Sequence, residues 1–257
     1  MSIPLLSTTD LTVRFGGHIA VDNVTTQFHP GELTAIVGPN GAGKTTFFNL
    51  ISGQIRASSG QVVLNGQDIS RLPVSARTKA GLGRAFQLTN LFPDLTVLEN
   101  IRLVVQAKAN KGFNLWSTAV ALTDITAKAQ TILAQVRLEH VAKQPVSELP
   151  HGDQRKLEVA ILIALEPKVF MFDEPTAGMS LDEADTILDL IADLKARTEC
   201  TVLLVEHKMD VIRTLADRIV VLHNGQLVAD GPPAEVMASA IVQEAYLGLS
   251  PEDQMHG

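Results

Sequence analysis

The sequence predicts an α/β fold, a mainly parallel sheet flanked by helices, on three observations. Short, uniformly apolar runs alternate with helical patterns along the second half of the chain. One such run, Leu33 to Val37, ends in a glycine loop that leads straight into a helix. Two Asn-Gly dipeptides, Asn65-Gly66 and Asn224-Gly225, follow β-prone runs and close hairpins, because both residues tolerate the positive φ of a tight primed turn.

The elements follow in order. Leu11 to Phe15 reads as a strand before the turn Gly16-Gly17, and Leu33 to Val37 as a buried strand. Thr45 to Ser52 is a helix stopped by Gly53. Gln61 to Leu64 enters the first Asn-Gly hairpin. From about Val97 to Val146 the chain is rich in Ala, Leu, Gln and Lys, with Gly112 as its mid-segment breaker, which predicts a helical insert. Leu157 to Leu165 is apolar nearly all round, so it is a buried helix, stopped by Pro167. Val169 to Phe172 and Thr201 to Val205 are fully buried strands. Between them, Ser180 and Glu183 form a capping box for a helix with Ile187, Leu190, Ile191 and Leu194 on one face. Ile219 to Leu222 and Gln226 to Ala229 flank the second Asn-Gly turn. At 257 residues the chain suits one domain with a subdomain. We divide it into a core with a β-subdomain over 1–87 and 151–257, and a helical subdomain over 88–150.

Composition narrows the functional classes. Hydrophobic residues at 46% and charged residues at 19% supply a sizeable core and exclude a disordered chain. Twenty-one Lys and Arg against 28 Asp and Glu give a net charge of -7, which disfavours a nucleic-acid partner. The single cysteine, Cys200, can form neither an intrachain disulfide nor a zinc cluster, so a core thiol in a reducing compartment is expected. The longest apolar run, Val159 to Leu165, is bounded by Glu158 and Glu166, far short of the roughly 20 residues that span a bilayer. Met1 to Asp10 holds no basic residue, so no secretory signal is expected and any membrane role is peripheral, through a partner.

Gly38-Pro39-Asn40-Gly41-Ala42-Gly43-Lys44-Thr45 fits the phosphate-loop pattern G-x-x-x-x-G-K-[ST] in its proper setting, after a buried strand and before a helix. The glycines let backbone N–H groups curl round phosphate oxygens, and the helix N-terminus adds partial positive charge. Lys44 is expected to neutralise the β and γ phosphates, and the Thr45 hydroxyl to sit on Mg²⁺. Asp173 and Glu174 end the strand from Val169, where an open α/β sheet binds its ligands. Asp173 can hold the metal and Glu174 can polarise an attacking water, although alone the pair reads as an acidic turn.

At this point the chain resembles the ATP-binding subunits of ABC transporters over essentially its whole length. The order of motifs carries the resemblance. Gln87, in Phe86-Gln87-Leu88, looks like the family's Q-loop. Leu149-Pro150-His151-Gly152-Asp153-Gln154 stands at the place of the L-S-G-G-Q signature, Met179-Ser180-Leu181-Asp182 at the D-loop, and Val205-Glu206-His207 at the H-loop. Phe15 matches the aromatic that stacks on adenine. Taken singly, Gln87 reads as a surface residue, His207 as a structural histidine and Phe15 as core. The resemblance implies a RecA-like P-loop NTPase core with an antiparallel β-subdomain and a helical insert subdomain. It implies ATP held by Phe15, Gly38, Pro39, Asn40, Gly41, Ala42, Gly43, Lys44, Thr45 and Thr46; catalysis by Glu174, His207 and Gln87; and Mg²⁺ on Thr45, Gln87 and Asp173.

Phe86 to Phe92 with Leu95 to Asn100, and Asp217 to Gly225 with Ala245-Tyr246-Leu247-Gly248, are similar to the ATPases of branched-chain amino-acid importers. The resemblance therefore implies an importer ATPase on the cytoplasmic face of the inner membrane. It would pair with a second ABC ATPase, the same or different, and dock on integral membrane permeases served by a periplasmic binding protein. Urea or short amides, or lipopolysaccharide, are alternative cargoes; a soluble ABC protein is disfavoured by the lack of a second cassette or long coiled coil. The departure is at the signature residues Pro150, His151, Gly152, Asp153 and Gln154, which the family presents to its partner; Ser180 and Asp182 are the D-loop residues the resemblance implies. Pro150 has neither the hydroxyl of the family's Ser nor an N–H, His151 could donate in its stead, and Asp153 brings an acid toward phosphate.

Overall fold

The computed structural model describes residues 3–85, 91–109, 119–239 and 242. In chain order its elements are β1 (Leu6–Phe15), β2 (His18–Phe28), β3 (Leu33–Val37), α1 (Lys44–Ser52), β4 (Ser59–Leu64), β5 (Gln67–Asp68), α2 (Val74–Lys79) and β6 (Leu82–Arg84). There follow α3 (Val97–Lys108), α4 (Ala119–Gln135), α5 (His151–Leu165), β7 (Val169–Asp173), α6 (Leu181–Lys195), β8 (Thr201–Val205), α7 (Met209–Leu215), β9 (Arg218–His223), β10 (Gln226–Gly231) and α8 (Pro233–Ala238). The chain divides into two compact units. The first is Met1–Leu82, Lys168–Glu174 and Ile191–Gly257; the second is Gly83–Pro167 and Pro175–Leu190.

The first unit holds the predicted parallel sheet. Its order is β10-β9-β3-β8-β7, continued by β6, within which the chain leaves the unit. β3 runs parallel to both β8 and β9, and β7 runs parallel to β8. β3 and β8 are buried along their whole length, as strands covered on both faces must be, which is why they read as unbroken apolar runs. A four-stranded antiparallel sheet, β2-β1-β4-β5, is the expected β-subdomain. Both Asn-Gly turns form as expected, with Asn65 and Asn224 at φ near 50°. Phe47 and Phe48 of α1 are fully buried in one cluster with Leu11 and Val62 of the antiparallel sheet and Ile36 and Leu203 of the parallel one. Each such ring contributes about 1.5–3 kcal/mol by leaving water.

Two arginines tie this unit together. Arg218 of β9 is bidentate to Asp230 of β10, donates to the Gln27 carbonyl and lies over the ring of Phe28, 5.9 Å from its centroid. Arg77 of α2 is buried and ends α1. Its Nη1 donates to the carbonyls of Leu50 at 2.7 Å and Ile51 at 2.6 Å, its Nη2 to Ser70 at 2.8 Å and its Nε to Leu72 at 3.0 Å. A cation at a helix C-terminus satisfies carbonyls that have no partner within the helix. The expected stop at Gly53 is correct, with φ at 82°.

In the second unit α3, α4 and α5 pack on one another; α3 and α4 fall within the stretch Val97 to Val146 expected to be helical, and α5 begins after it. α3 starts on a capping box, Thr96 with Glu99, that the sequence reading passed over. α5 is buried along its later half and ends at Glu166, which accepts from Lys108 and Lys128, each at 2.6 Å. At the start of α6 the Glu183 carboxylate accepts from the Ser180 N–H at 3.0 Å and Oγ at 2.8 Å, the Glu183 half of the expected box. In the first unit Cys200 is buried, and burial pushes its thiol up from the usual range. Among the described residues no helix is long and apolar enough to cross a membrane.

Arg77→Ala should leave the carbonyls of Leu50, Ile51, Ser70 and Leu72 without their donor and lower the unfolding free energy by about 2–4 kcal/mol. Urea titration reads this directly. Arg77→Lys should restore less than half, because one ammonium cannot reach carbonyls in so many directions.

Candidate active site

The site grows from the C-terminal ends of parallel strands. β3 delivers the chain into the loop Gly38 to Gly43, and α1 begins at Lys44. Gly38 and Gly43 are fixed by close approach as well as by backbone. A Cβ on Gly38, at φ 150°, would stand 2.1 Å from the Leu222 carbonyl oxygen; one on Gly43, at φ 97°, would stand 2.5 Å from that of Ala20. Lys44 is buried, 6% exposed, and its Nζ donates to the carbonyls of Gly38 at 2.7 Å and Pro39 at 2.9 Å. Burial lowers its pKa, while the carboxylates of Glu174 and Asp173 act against that shift. Thr45 is exposed and Thr46 half-buried.

β7 and β8 end together, with Asp173 paired to Val205. The half-buried Asp173 is the last residue of its strand, and Glu174 follows in the left-handed region at φ 50°. The Glu174 N–H donates to the Val205 carbonyl at 2.9 Å. This turn brings Glu174 Oε1 to 2.8 Å from His207 Nε2. Glu206 is buried, 3% exposed, and its carboxylate accepts the His207 backbone N–H at 2.8 Å, so the histidine is held from behind.

These groups meet at one cleft of about 340 Å³. Its walls are His18 and Ala20 of β2, the stretch Asn40 to Thr46, Glu174 and His207. Of the residues expected from sequence, the loop, Lys44, Thr45, Thr46, Glu174 and His207 therefore share a cavity. Phe15 is not among its walls; the ring is half-exposed at the end of β1, where Phe15 pairs with His18. Gln87 lies outside the described residues, as do the rest of Phe86 to Asn90, the side chain of Asp182, and Ala245 to Gly248.

The sequence reading missed how the loop is braced. The second Asn-Gly turn reaches it: Gly225 N–H donates to the Ala42 carbonyl at 3.0 Å, and the Gly225 carbonyl accepts from Asp22 N–H at 2.8 Å. Gln226 then donates to the Asp22 carboxylate at 2.9 Å. The turn was legible as a turn; that its target lies nearly 200 residues upstream was not. His18 was also passed over, having no motif around it.

In the second unit, the signature stretch opens α5. Pro150 is the N-cap, with φ −55° and ψ 155°, and makes no side-chain cap. His151 begins the helix, and Gln154 donates back to the Leu149 carbonyl at 3.0 Å. The acid at Asp153 is paired with Lys156 at 2.9 Å, which offsets its charge. Gly152 is needed for packing, since a Cβ there would stand 2.0 Å from Glu183 Oε1. Ser180 in turn holds the Glu183 carboxyl below the usual range.

The comparisons agree with this geometry. A family model described as ABC transporter matches residues 21–177, and one described as branched-chain amino acid ATP-binding cassette transporter matches residues 226–249. The chain is 37% identical over 253 residues to the high-affinity branched-chain amino acid transport ATP-binding protein LivG of Escherichia coli (strain K12), covering 96% of this chain and 99% of the relative. It is 36% identical, over the same shares, to the protein BraF of Pseudomonas aeruginosa, which carries the same description. A crystal structure of an ATP-binding cassette of an ABC transporter in its ADP conformation superposes with a TM-score of 0.80 at 28% identity, covering 96% of this chain and 100% of that one. A strand-fed phosphate loop opposite a carboxylate–histidine pair, and relatives matched nearly end to end, lead to one conclusion: this chain belongs to the ABC transporter family.

Proposed function

We propose that the chain is the ATP-hydrolysing subunit of an ABC importer for branched-chain or related amino acids. The observation that carries the chemistry is the cleft in which Lys44 and the phosphate loop stand with the Glu174–His207 pair. The family match over residues 226–249 and the printed descriptions of the relatives support the cargo class.

The phosphate loop offers its N–H groups, the first turn of α1 and the Lys44 ammonium to the β and γ phosphates of ATP. Thr45 and Asp173 offer a hydroxyl and a carboxylate, the hard oxygen donors that suit Mg²⁺, which when bound neutralises phosphate charge. Glu174 takes the proton of the attacking water. His207 Nε2, 2.8 Å from Glu174 Oε1, aims the Glu174 carboxylate, and Glu206, accepting the His207 backbone N–H, keeps His207 in position. In this reading the cassette pairs with a second one, of the same or a different chain. Pro150, His151, Gly152, Asp153 and Gln154 are then presented to the partner's nucleotide, and Ser180 and Asp182 form the D-loop. The first turn of α5 supplies the donors there, because Pro150 lacks a hydroxyl. Membrane permeases and a periplasmic binding protein complete the assembly, which sets this chain at the cytoplasmic face of the inner membrane.

Lys44→Ala should weaken ATP binding by at least tenfold in an equilibrium titration. In cells that depend on this chain, the same change should stop uptake of labelled leucine; unchanged leucine uptake on deletion of the chain would move the cargo elsewhere. Glu174→Gln keeps the shape of the side chain and loses the base. It should bind ATP and turn over at less than about a tenth of the wild-type rate, a barrier increase of at least roughly 1.4 kcal/mol.

The signature departure gives a further expectation. Mixing with a partner cassette that carries an intact signature should stimulate ATP hydrolysis. Pro150→Ser with Asp153→Gln should raise the activity of the chain by itself by roughly ten- to a hundredfold, the worth of a hydrogen bond to a charged group. Steady-state ATPase of wild type and double variant, each with and without partner, decides it. Equal rates for the wild type alone and mixed would mean that the α5 terminus already compensates.

A further inference from the structure

His18 is the one wall of the cleft that carries a polar side chain and belongs to no motif. It opens β2 and is exposed, and its imidazole makes no hydrogen bond or ion pair among the described residues. It faces Phe15 across the Gly16-Gly17 turn, as the Cα partner of that residue in the antiparallel pair. Residues directly opposite project to the same sheet face, with Cβ atoms roughly 4.5–5.5 Å apart, so the two side chains start from neighbouring points of one face. Ala20, two positions on, also lines the cleft, at the register shift between the Val13–Val21 and Arg14–Ile19 pairs.

β2 therefore runs as a track from the loop to the ring. Ala20 stands at the loop, its carbonyl oxygen at the spot that a Cβ on Gly43 would approach to 2.5 Å. His18 lies about 7 Å further along the strand, at roughly 3.4 Å per residue, and Phe15 lies beside it. His18 lines the cleft beyond Ala20 and the loop, so a nucleotide with its phosphates in the loop and its base toward Phe15, where the resemblance sets it, passes its sugar and first phosphate over His18.

The other basic side chains of the cleft are committed elsewhere. Lys44 is anchored on the carbonyls of Gly38 and Pro39, and His207 is engaged with Glu174. Neither is left for the sugar end. We propose that His18 is a further nucleotide-binding residue whose imidazole N–H donates to an oxygen of the α-phosphate. A ring N–H is available in either tautomer of the neutral imidazole as well as in the cation. The inference rests on the nucleotide-binding reading above and adds a contact to it.

The test is equilibrium titration of the full chain with ATP, ADP and inorganic pyrophosphate, each with Mg²⁺. Pyrophosphate fills the loop and does not extend to His18. His18→Ala should weaken ATP and ADP by the same factor, roughly three- to tenfold, and leave pyrophosphate affinity unchanged. His18→Gln, which keeps a donor, should recover at least half of the loss on a logarithmic scale. Lys44→Ala should weaken all three ligands. Unchanged ADP affinity in His18→Ala would overturn the proposal. So would an equal loss for pyrophosphate, since that would mean a distorted loop. If the wild type binds none of the three, the nucleotide-binding reading itself fails, and that result is distinct from a silent His18 variant.

Discussion

Gly38 and Gly43 lie against carbonyl oxygens of strands on either side, Leu222 on β9 and Ala20 on β2, with no room for a Cβ at either point. That closeness is what the rest of the site hangs on. It lets the loop lie flush between two strands, with its carbonyls taken up by the protein itself: Ala42 by Gly225, Gly38 and Pro39 by Lys44. A loop free of such partners would have to be ordered on each binding event, at about 1–2 kcal/mol per residue in backbone entropy. Here the ordering is done on folding. The same logic extends to the far end of α1, where Arg77 takes the last carbonyls and fixes the helix whose first turn holds the phosphate loop.

Much of this architecture was legible in the sequence, because the constraints are local. Buried parallel strands have to be apolar on both faces, so β3, β7 and β8 announce themselves as unbroken runs. Asn-Gly turns and Gly53 follow from the steric freedom they need. The ABC resemblance was legible from motif order, and the family matches bear it out. What stayed hidden is long-range. No local pattern says that the Asn224-Gly225 turn brackets a loop far upstream, that Arg77 of α2 caps α1, or that His18 faces the cleft. Each is a contact between segments whose separate sequences look ordinary. The Thr96–Glu99 box is a different omission: its T-x-x-E pattern was there to be read.

The signature stretch gains a physical account from its surroundings. Asp153 would be an awkward charge beside phosphate, but Lys156 one turn on pairs with it and is itself only partly exposed. Gly152 answers to packing, since Glu183 fills the space a side chain there would need. Pro150 fits as a cap by conformation, with the extended ψ that precedes a helix and no N–H to leave stranded. The stretch is therefore a coherent helix start, short of a hydroxyl.

Glu174 carries a consequence of its own for which acids this position can accept. Its backbone is left-handed, a region where Asp and Asn are several-fold enriched and longer side chains are uncommon. By backbone preference alone, aspartate would be the easier occupant. Yet its carboxyl would stop one methylene short, and the 2.8 Å contact with His207 Nε2 would open into a gap. Asparagine would fit the backbone and carry no charge. Reach and torsion thus pull in opposite directions, and glutamate is the compromise: a strained residue kept in place by the Val205 carbonyl on its amide and by the imidazole at its tip. One attachment holds the backbone and the other the carboxylate, which leaves the side chain between them little freedom to wander.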